Sequence, residues 1–238
     1  MTVLTWEKKE SVAVITMTNG ENRHNPTFNR QFLDALDEIE EDTSVHSVVI
    51  TSNDPKHWSL GIDLTWFTEA FQKGDLQAIN DFLYGLNRIE TRILLYPMPV
   101  IAAISGHAFG NGSILASACD FRFMRADRGF FCFPEIDINV VFLPGMLAVV
   151  RKAVAQHYFH ELIYTGKRAT ALELEEHHVI QKASVDAETL MVDALGFADT
   201  FHKTRAVFGE MKKRINQSII ATIETEDPGY IEALKFQV

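Results

Sequence analysis

Cysteine is scarce: two in 238 residues, Cys119 and Cys132, each within an apolar stretch and without C-x-x-C spacing. A disulfide framework or a thiolate zinc site is therefore disfavoured against two buried free thiols, which suits a reducing compartment. Basic residues are also short, with 22 Lys and Arg against 32 Asp and Glu and a formal net charge of −10. Such a field repels polyanions and argues against nucleic acid or an anionic membrane as partner; a phosphorylated small ligand would need a local basic patch. No run reaches the ~18 apolar residues of a membrane span. The first ten residues lack a basic region followed by an apolar one. The chain reads as unexported and cytoplasmic, so the N-x-S sequons at Asn111 and Asn216 are set aside. It shows no fixed-period repeat, low-complexity segment or linker.

What is present is a 47% hydrophobic chain, enough for a full core. We expect one main unit over 1–184 and a C-terminal helical region over 185–238. Residues 12–17 and 47–51 are β-rich and apolar, and read as buried strands. Between them Phe28, Phe32, Leu36 and Ile39 follow helical spacing, with Asn25-Pro26 as the start. A second helix is expected over about 75–95, its buried stripe made by Leu76, Ile79, Leu83, Leu86 and Ile93, and ended by Pro97 and Pro99. Residues 100–104 then form a short continuous apolar run, as in a strand covered on both faces. Strands alternating with helices point to an α/β fold with a largely parallel sheet. Helices are expected over 151–164, 171–177 and 187–219, separated by Thr165-Gly166 and by 179–184.

Three stretches carry possible chemistry. In 99–120 a strand runs into Gly106, Gly110 and Gly112 and then into a small-residue helix. Such a turn lets backbone N–H groups point at an anion or oxyanion, although it equally serves as a tight turn for close helix–strand approach. A second turn, 58–64, offers another inward N–H, with Asp63 also readable as an ordinary N-cap. In 131–145 Glu135 has aromatic and aliphatic neighbours. Desolvation there would raise its pKa and make it a better base for carbon acids, the alternative being a solvated loop carboxylate. The histidines of 157–161 and 175–178 lack H-E-x-x-H spacing and fit solvated helix faces. Ser113 lacks the G-x-S-x-G frame of an esterase nucleophile. Lys212-Lys213-Arg214 reads first as a solvated helix end, with a phosphate contact as the alternative.

Taken together, in this order and spacing, residues 59–63, 99–112 with 118–120, 133–136 with Pro144-Gly145, and 162–171 resemble the enoyl-CoA hydratase/isomerase (crotonase) family over about 12–219. In character the chain resembles the Δ3-Δ2-enoyl-CoA isomerases of that family most. The resemblance implies a spiral of ββα units with a C-terminal helical trimerisation region, in a homotrimer or dimer of trimers with Leu172 and Leu174 in the subunit contact. It implies that the N–H groups of Ile62 and Asn111 form an oxyanion hole for a thioester carbonyl and that Glu135 is the catalytic acid/base. Arg23, His24, Asn25, Leu60, Gly61, Gly110 and Ile114 are implied to bind substrate, with Arg23 and Lys56 as cations near the coenzyme A. Coenzyme A enters as part of the substrate; no metal or redox cofactor is implied.

Two departures bear on the reaction. Ile114 stands where the family's hydratases carry a second glutamate, and Leu143 stands where its dienoyl-CoA isomerases carry an acid. Asn111 replaces the usual small residue at the second N–H position, and the 135–144 segment is longer than in typical hydratases. A one-glutamate shift of a 3-enoyl double bond is the expected reaction. A hydratase, a decarboxylase or thioesterase of the same family, and a catalytically silent acyl-CoA-binding subunit remain alternatives, which a turnover assay separates.

Overall fold

The computed structural model describes residues 2–235. Strands β1 (Leu4–Lys9), β2 (Val12–Met17), β3 (Ser47–Ser52), β5 (Val100–Ile104), β7 (Phe121–Arg125) and β9 (Lys182–Ser184) form one sheet in the order β1-β2-β3-β5-β7-β9. All neighbours in it run parallel except β1 against β2. A second, parallel sheet joins β4 (His57–Ser59), β6 (His107–Phe109) and β8 (Phe131–Cys132). Each of β3, β5 and β7 thus hands the chain to a short strand of the second sheet, and helices carry it back. This repetition is the expected ββα spiral.

The period of two along the strands divides the core. Ile15, Val48, Ile50, Ala102 and Ile104 face one layer, with α1 (Pro26–Glu41), α3 (Leu76–Leu95) and α4 (Asn111–Ala118). Val14, Val49, Ile101, Ala103 and Phe123 face the other, covered by Leu190, Ala194 and Ala198 of α8 (Ala187–Asp199). Asn25 caps α1 by accepting from the N–H groups of Thr27 and Phe28, ahead of Pro26. Asp63 caps α2 (Leu64–Gln72) and Asp75 caps α3 in the same way. Cys119 and Cys132 are buried free thiols. Among the described residues no helix is long and apolar enough to cross a membrane.

In the C-terminal third the expected helix over 171–177 is present as Ala171–Glu176, and the other two expected helices are broken. The span 151–164 belongs to α5 (Pro144–Ala153) and α6 (Gln156–Thr165), separated where Ala155 is extended. Residues 187–219 divide among α8, α9 (Arg205–Ile215) and α10 (Gln217–Thr225). Tertiary bonds explain the breaks within 187–219. The Arg205 guanidinium donates to the carbonyls of Glu40, Asp42 and Val45, and the Asn216 side chain donates to Leu94 O at 2.8 Å. The spacer 179–184 contains β9, whose three residues are too few to show a pattern and which is held by pairing with β7. Leu174 of α7 (Ala171–Glu176) corrects another expectation: it is fully buried within its own chain and cannot join a subunit contact, whereas Leu172 is 63% exposed.

Candidate active site

The two glycine turns meet. Gly61 has φ +75° and Gly110 φ +56°, backbone that glycine adopts without a Cβ clash. A Cβ on Gly61 would lie 2.7 Å from Asn111 N and 2.7 Å from Phe109 O, and one on Gly112 would lie 2.4 Å from Ser59 O. Only glycines allow this approach, which sets Ile62 and Asn111 side by side. Leu60 N–H donates to Glu21 O, Gly61 N–H to Ser59 Oγ and Asp63 N–H to His24 O. The N–H of Ile62, between them, has no partner among the described residues. Asn111 opens α4, so its own N–H is one of the helix's free donors, in the positive end of the helix dipole.

Beyond the two turns lies a cavity of about 480 Å³, walled by α2, α4 and the 134–146 segment. Arg23, Leu60, Ile62, Gly110, Asn111, Ile114 and Glu135, all named from the sequence, line it. Gly61 stands behind Ile62 as the contact with Asn111. His24 and Asn25 do not line the cavity: His24 is buried beneath Asn111, and Asn25 is occupied as the α1 cap and by a bond to Asp63 Oδ2 at 3.3 Å. Lys56 also lies outside the lining, its carbonyl accepting from His107 N–H. Ser113, fully buried, spends its hydroxyl on Ala108 O and Cys132 O, as small-residue packing requires.

Glu135 sits in a 3-10 turn (Pro134–Ile138) that Pro134 starts and left-handed Asn139 ends. A Cβ on Gly110 would lie 3.2 Å from Glu135 Oε1, so the carboxyl group lies over the second turn. It is 8% exposed, and its Oε2 is buried without a hydrogen-bond partner among the described residues. Burial pushes its pKa up to about 7 against the smaller opposing pull of its own backbone N–H. Ile114 and Leu143 line the same cavity, and among the described residues no other acidic side chain does. The arrangement can bind an anionic oxygen between two N–H groups and move one proton beside it.

Sequence reasoning missed the opposite wall, made by Leu64, Phe67 and Thr68 of α2 with Phe142 and Met146. The signal was available: 64, 67 and 68 share one helical face by i, i+3, i+4 spacing. It also missed Glu90, which is buried behind the Asn111 turn.

The sequence model of the enoyl-CoA hydratase/isomerase family matches residues 7–228. "Enoyl-CoA delta isomerase 2, peroxisomal" of Arabidopsis thaliana is 31% identical over 193 residues, 80% of each chain. "Enoyl-CoA delta isomerase 1, peroxisomal" of the same plant is 35% identical over 168 residues, 69% of this chain and 68% of that protein. A putative enoyl-CoA hydratase of Thermus thermophilus is 28% identical over 77% of this chain and 72% of that one. Among solved structures, a probable enoyl-CoA hydratase from Mycobacterium tuberculosis superposes with a TM-score of 0.89 at 23% identity, covering 98% of this chain and 97% of that one. With the family model spanning most of the chain and both glycine turns and Glu135 in one cavity, the protein belongs to the enoyl-CoA hydratase/isomerase family.

Proposed function

We propose that the protein is an enoyl-CoA isomerase that moves the double bond of a 3-enoyl-CoA to the 2-position. The observation that carries this is that among the described residues Glu135 is the one acidic side chain lining the cavity, with Ile114 and Leu143 apolar where a second acid would be needed for other reactions of the family. Glu135 as carboxylate takes a proton from C2. The electron pair moves through the thioester carbonyl to give a dienolate, whose oxygen is held by the Ile62 and Asn111 N–H groups. The protonated Glu135 then returns the proton to C4, and the double bond ends between C2 and C3. No net proton is gained or lost, so one carboxylate suffices if it reaches both carbons within ~3 Å. Loss of one such N–H donor costs about 2.7–4 kcal/mol of barrier in comparable sites. The apolar walls suit an acyl chain rather than a polar substituent, and coenzyme A arrives as part of the substrate.

A hydratase must deprotonate water at C3 while protonating C2, and Glu135 would need a second carrier for that. Steady-state rates with 3-enoyl-CoA and 2-enoyl-CoA substrates of several lengths test the reading: isomerisation should exceed hydration by orders of magnitude. Faster hydration overturns it, and absence of any turnover with retained thioester binding supports the silent-subunit alternative instead.

We extend the proposal to assembly and place. The chain forms a homotrimer or dimer of trimers with exposed Leu172 in the contact, and a monomeric mass by light scattering at micromolar concentration overturns that. The cytoplasm is the compartment proposed, and a peroxisomal location is the contrary outcome of cell fractionation.

A further inference from the structure

Behind the Asn111 turn lies a second, smaller cavity of about 10 Å³, enclosed by His24, Phe28, Leu86, Ile89, Glu90, Asn111 and Leu115. Glu90 is 2% exposed, and among the described residues neither of its oxygens has a hydrogen-bond partner; Asn111 Oδ1 is likewise buried and unpartnered there. Burial, and more weakly the charge of nearby Asp227, raise the Glu90 pKa to about 8, so its carboxyl group is mostly protonated at neutral pH and can donate.

The proton positions on the other side follow by elimination. Ser59 Oγ lies 2.8 Å from Asn22 O, an acceptor only, so the hydroxyl donates there. Its lone pairs then receive Gly61 N–H at 3.2 Å and His24 Nε2–H at 2.9 Å. Burial lowers the His24 pKa to about 3, so the ring is neutral and Nδ1 is an acceptor. It takes the Asn111 amide N–H at 2.8 Å. The same histidine brackets the other turn through its main chain, donating to Gly61 O at 2.7 Å and accepting from Asp63 N–H at 2.9 Å.

We propose that His24 and Glu90 are positioning residues that lock the two oxyanion-hole turns to each other, Glu90 acting on Asn111 Oδ1 through a single buried water. The small cavity has about the size of one water, and the two Glu90 oxygens with Asn111 Oδ1 provide three polar partners for it. Holding the Asn111 side chain at both ends of its amide fixes the residue whose backbone N–H faces the thioester oxygen. The catalytic consequence rests on the isomerase reading above; the effect on the hole itself does not.

The test uses the full chain with Glu90→Leu and Glu90→Gln. Leucine removes an unpartnered buried polar group, so a merely structural Glu90 predicts equal or higher stability and unchanged kinetics. A positioning role predicts that Glu90→Leu keeps its unfolding midpoint and KM but loses about tenfold in kcat with 3-enoyl-CoA, as misplacement of a distant support can do. Glu90→Gln, which still donates and accepts, should restore kcat to within about twofold of wild type. A second readout needs no turnover: the infrared carbonyl stretch of a bound saturated acyl-CoA should move to higher frequency in Glu90→Leu and return in Glu90→Gln. An unchanged stretch and unchanged kcat in Glu90→Leu overturn the proposal, as does a Gln variant as impaired as the Leu variant. A wild type that does not isomerise, yet whose carbonyl stretch responds to Glu90→Leu, sinks the isomerase reading while this inference stands.

Discussion

The cluster beneath α9 and the floor of the cavity both withdraw charged side chains from water, one by pairing them and the other by leaving one alone. Under α9, Lys212 donates to Asp120 Oδ2 at 2.6 Å and to Ile93 O at 2.8 Å, and the same Asp120 oxygen accepts from Val100 N–H. Lys152 bonds the carbonyls of Ala118 and Cys119, and Arg122 those of Val179 and Cys119. In the cavity, Glu135 Oε2 has no partner among the described residues. Pairing holds α9 to the core. Isolation instead raises the proton affinity of a carboxylate into the range where it both takes and returns a proton at neutral pH.

Removing each charge breaks the comparison where it is strongest. Glu135→Gln should lower kcat by about 10³-fold, within the range that proton transfer by a side chain contributes, while thioester affinity holds because the amide keeps the shape. Activity near wild type would end the one-base mechanism. The pH dependence has a definite sign. The base form is needed, so kcat/KM should rise with pH and level off above about 7, the value to which burial brings Glu135. Stability runs oppositely. A raised pKa in the folded state favours the protonated form, so this group's contribution is complete below its unfolded pKa and is lost as pH rises through about 7. Glu135→Gln should therefore gain stability over wild type progressively between pH 5 and roughly 8.

Lys212→Met should do the reverse, leaving turnover chemistry intact while costing about 3 kcal/mol of stability, because it strands a largely buried Asp120. Urea unfolding measures this; a loss under about 0.5 kcal/mol would show that Lys152 compensates. Ile114→Glu sharpens the contrast from the other side by placing a second carboxylate in the cavity. Measurable hydration of 2-enoyl-CoA should appear, with isomerisation reduced by the like charge near Glu135.

What the sequence revealed follows the same division between local and tertiary causes. Strands β2, β3 and β5, the stripe and cap of α1 and, apart from Leu76, which was expected buried and is 45% exposed at the first turn, the stripe of α3 were legible because each depends on residues within a few positions. The glycine turns and Glu135 each stayed open to two readings from their own residues, and the resemblance to the family decided between them. The split of 187–219 and strand β9 were not, since Arg205, Asn216 and the pairing with β7 act from far along the chain. His24 could be assigned to the site but not to its side of Asn111. Glu90 did leave a trace: it lies four residues after Leu86 and three before Ile93, a charge set within an apolar stripe.

The smallest expected effect concerns the Arg23 edge of the cavity, where under the proposed function the acidic chain would meet the phosphates of coenzyme A. Arg23 and Lys56 were the cations expected there from the sequence, and the structure separates them. Arg23 lines the cavity and donates to Ile62 O at 3.4 Å, while its Nε is paired with Glu21 Oε2 at 2.7 Å; Lys56 is outside the lining. An exposed ion pair contributes about 0.2–1 kcal/mol, so Arg23→Glu should weaken binding of an acyl-CoA about fivefold at low salt and Lys56→Glu less than about twofold. The difference should shrink at high ionic strength, which screens exposed charges. Glu21→Gln releases Arg23 from its competitor and should tighten binding slightly. Calorimetric titration of the four proteins at two salt concentrations measures all of this. If reversing both Arg23 and Lys56 leaves affinity unchanged, the phosphates do not pass this edge of the cavity.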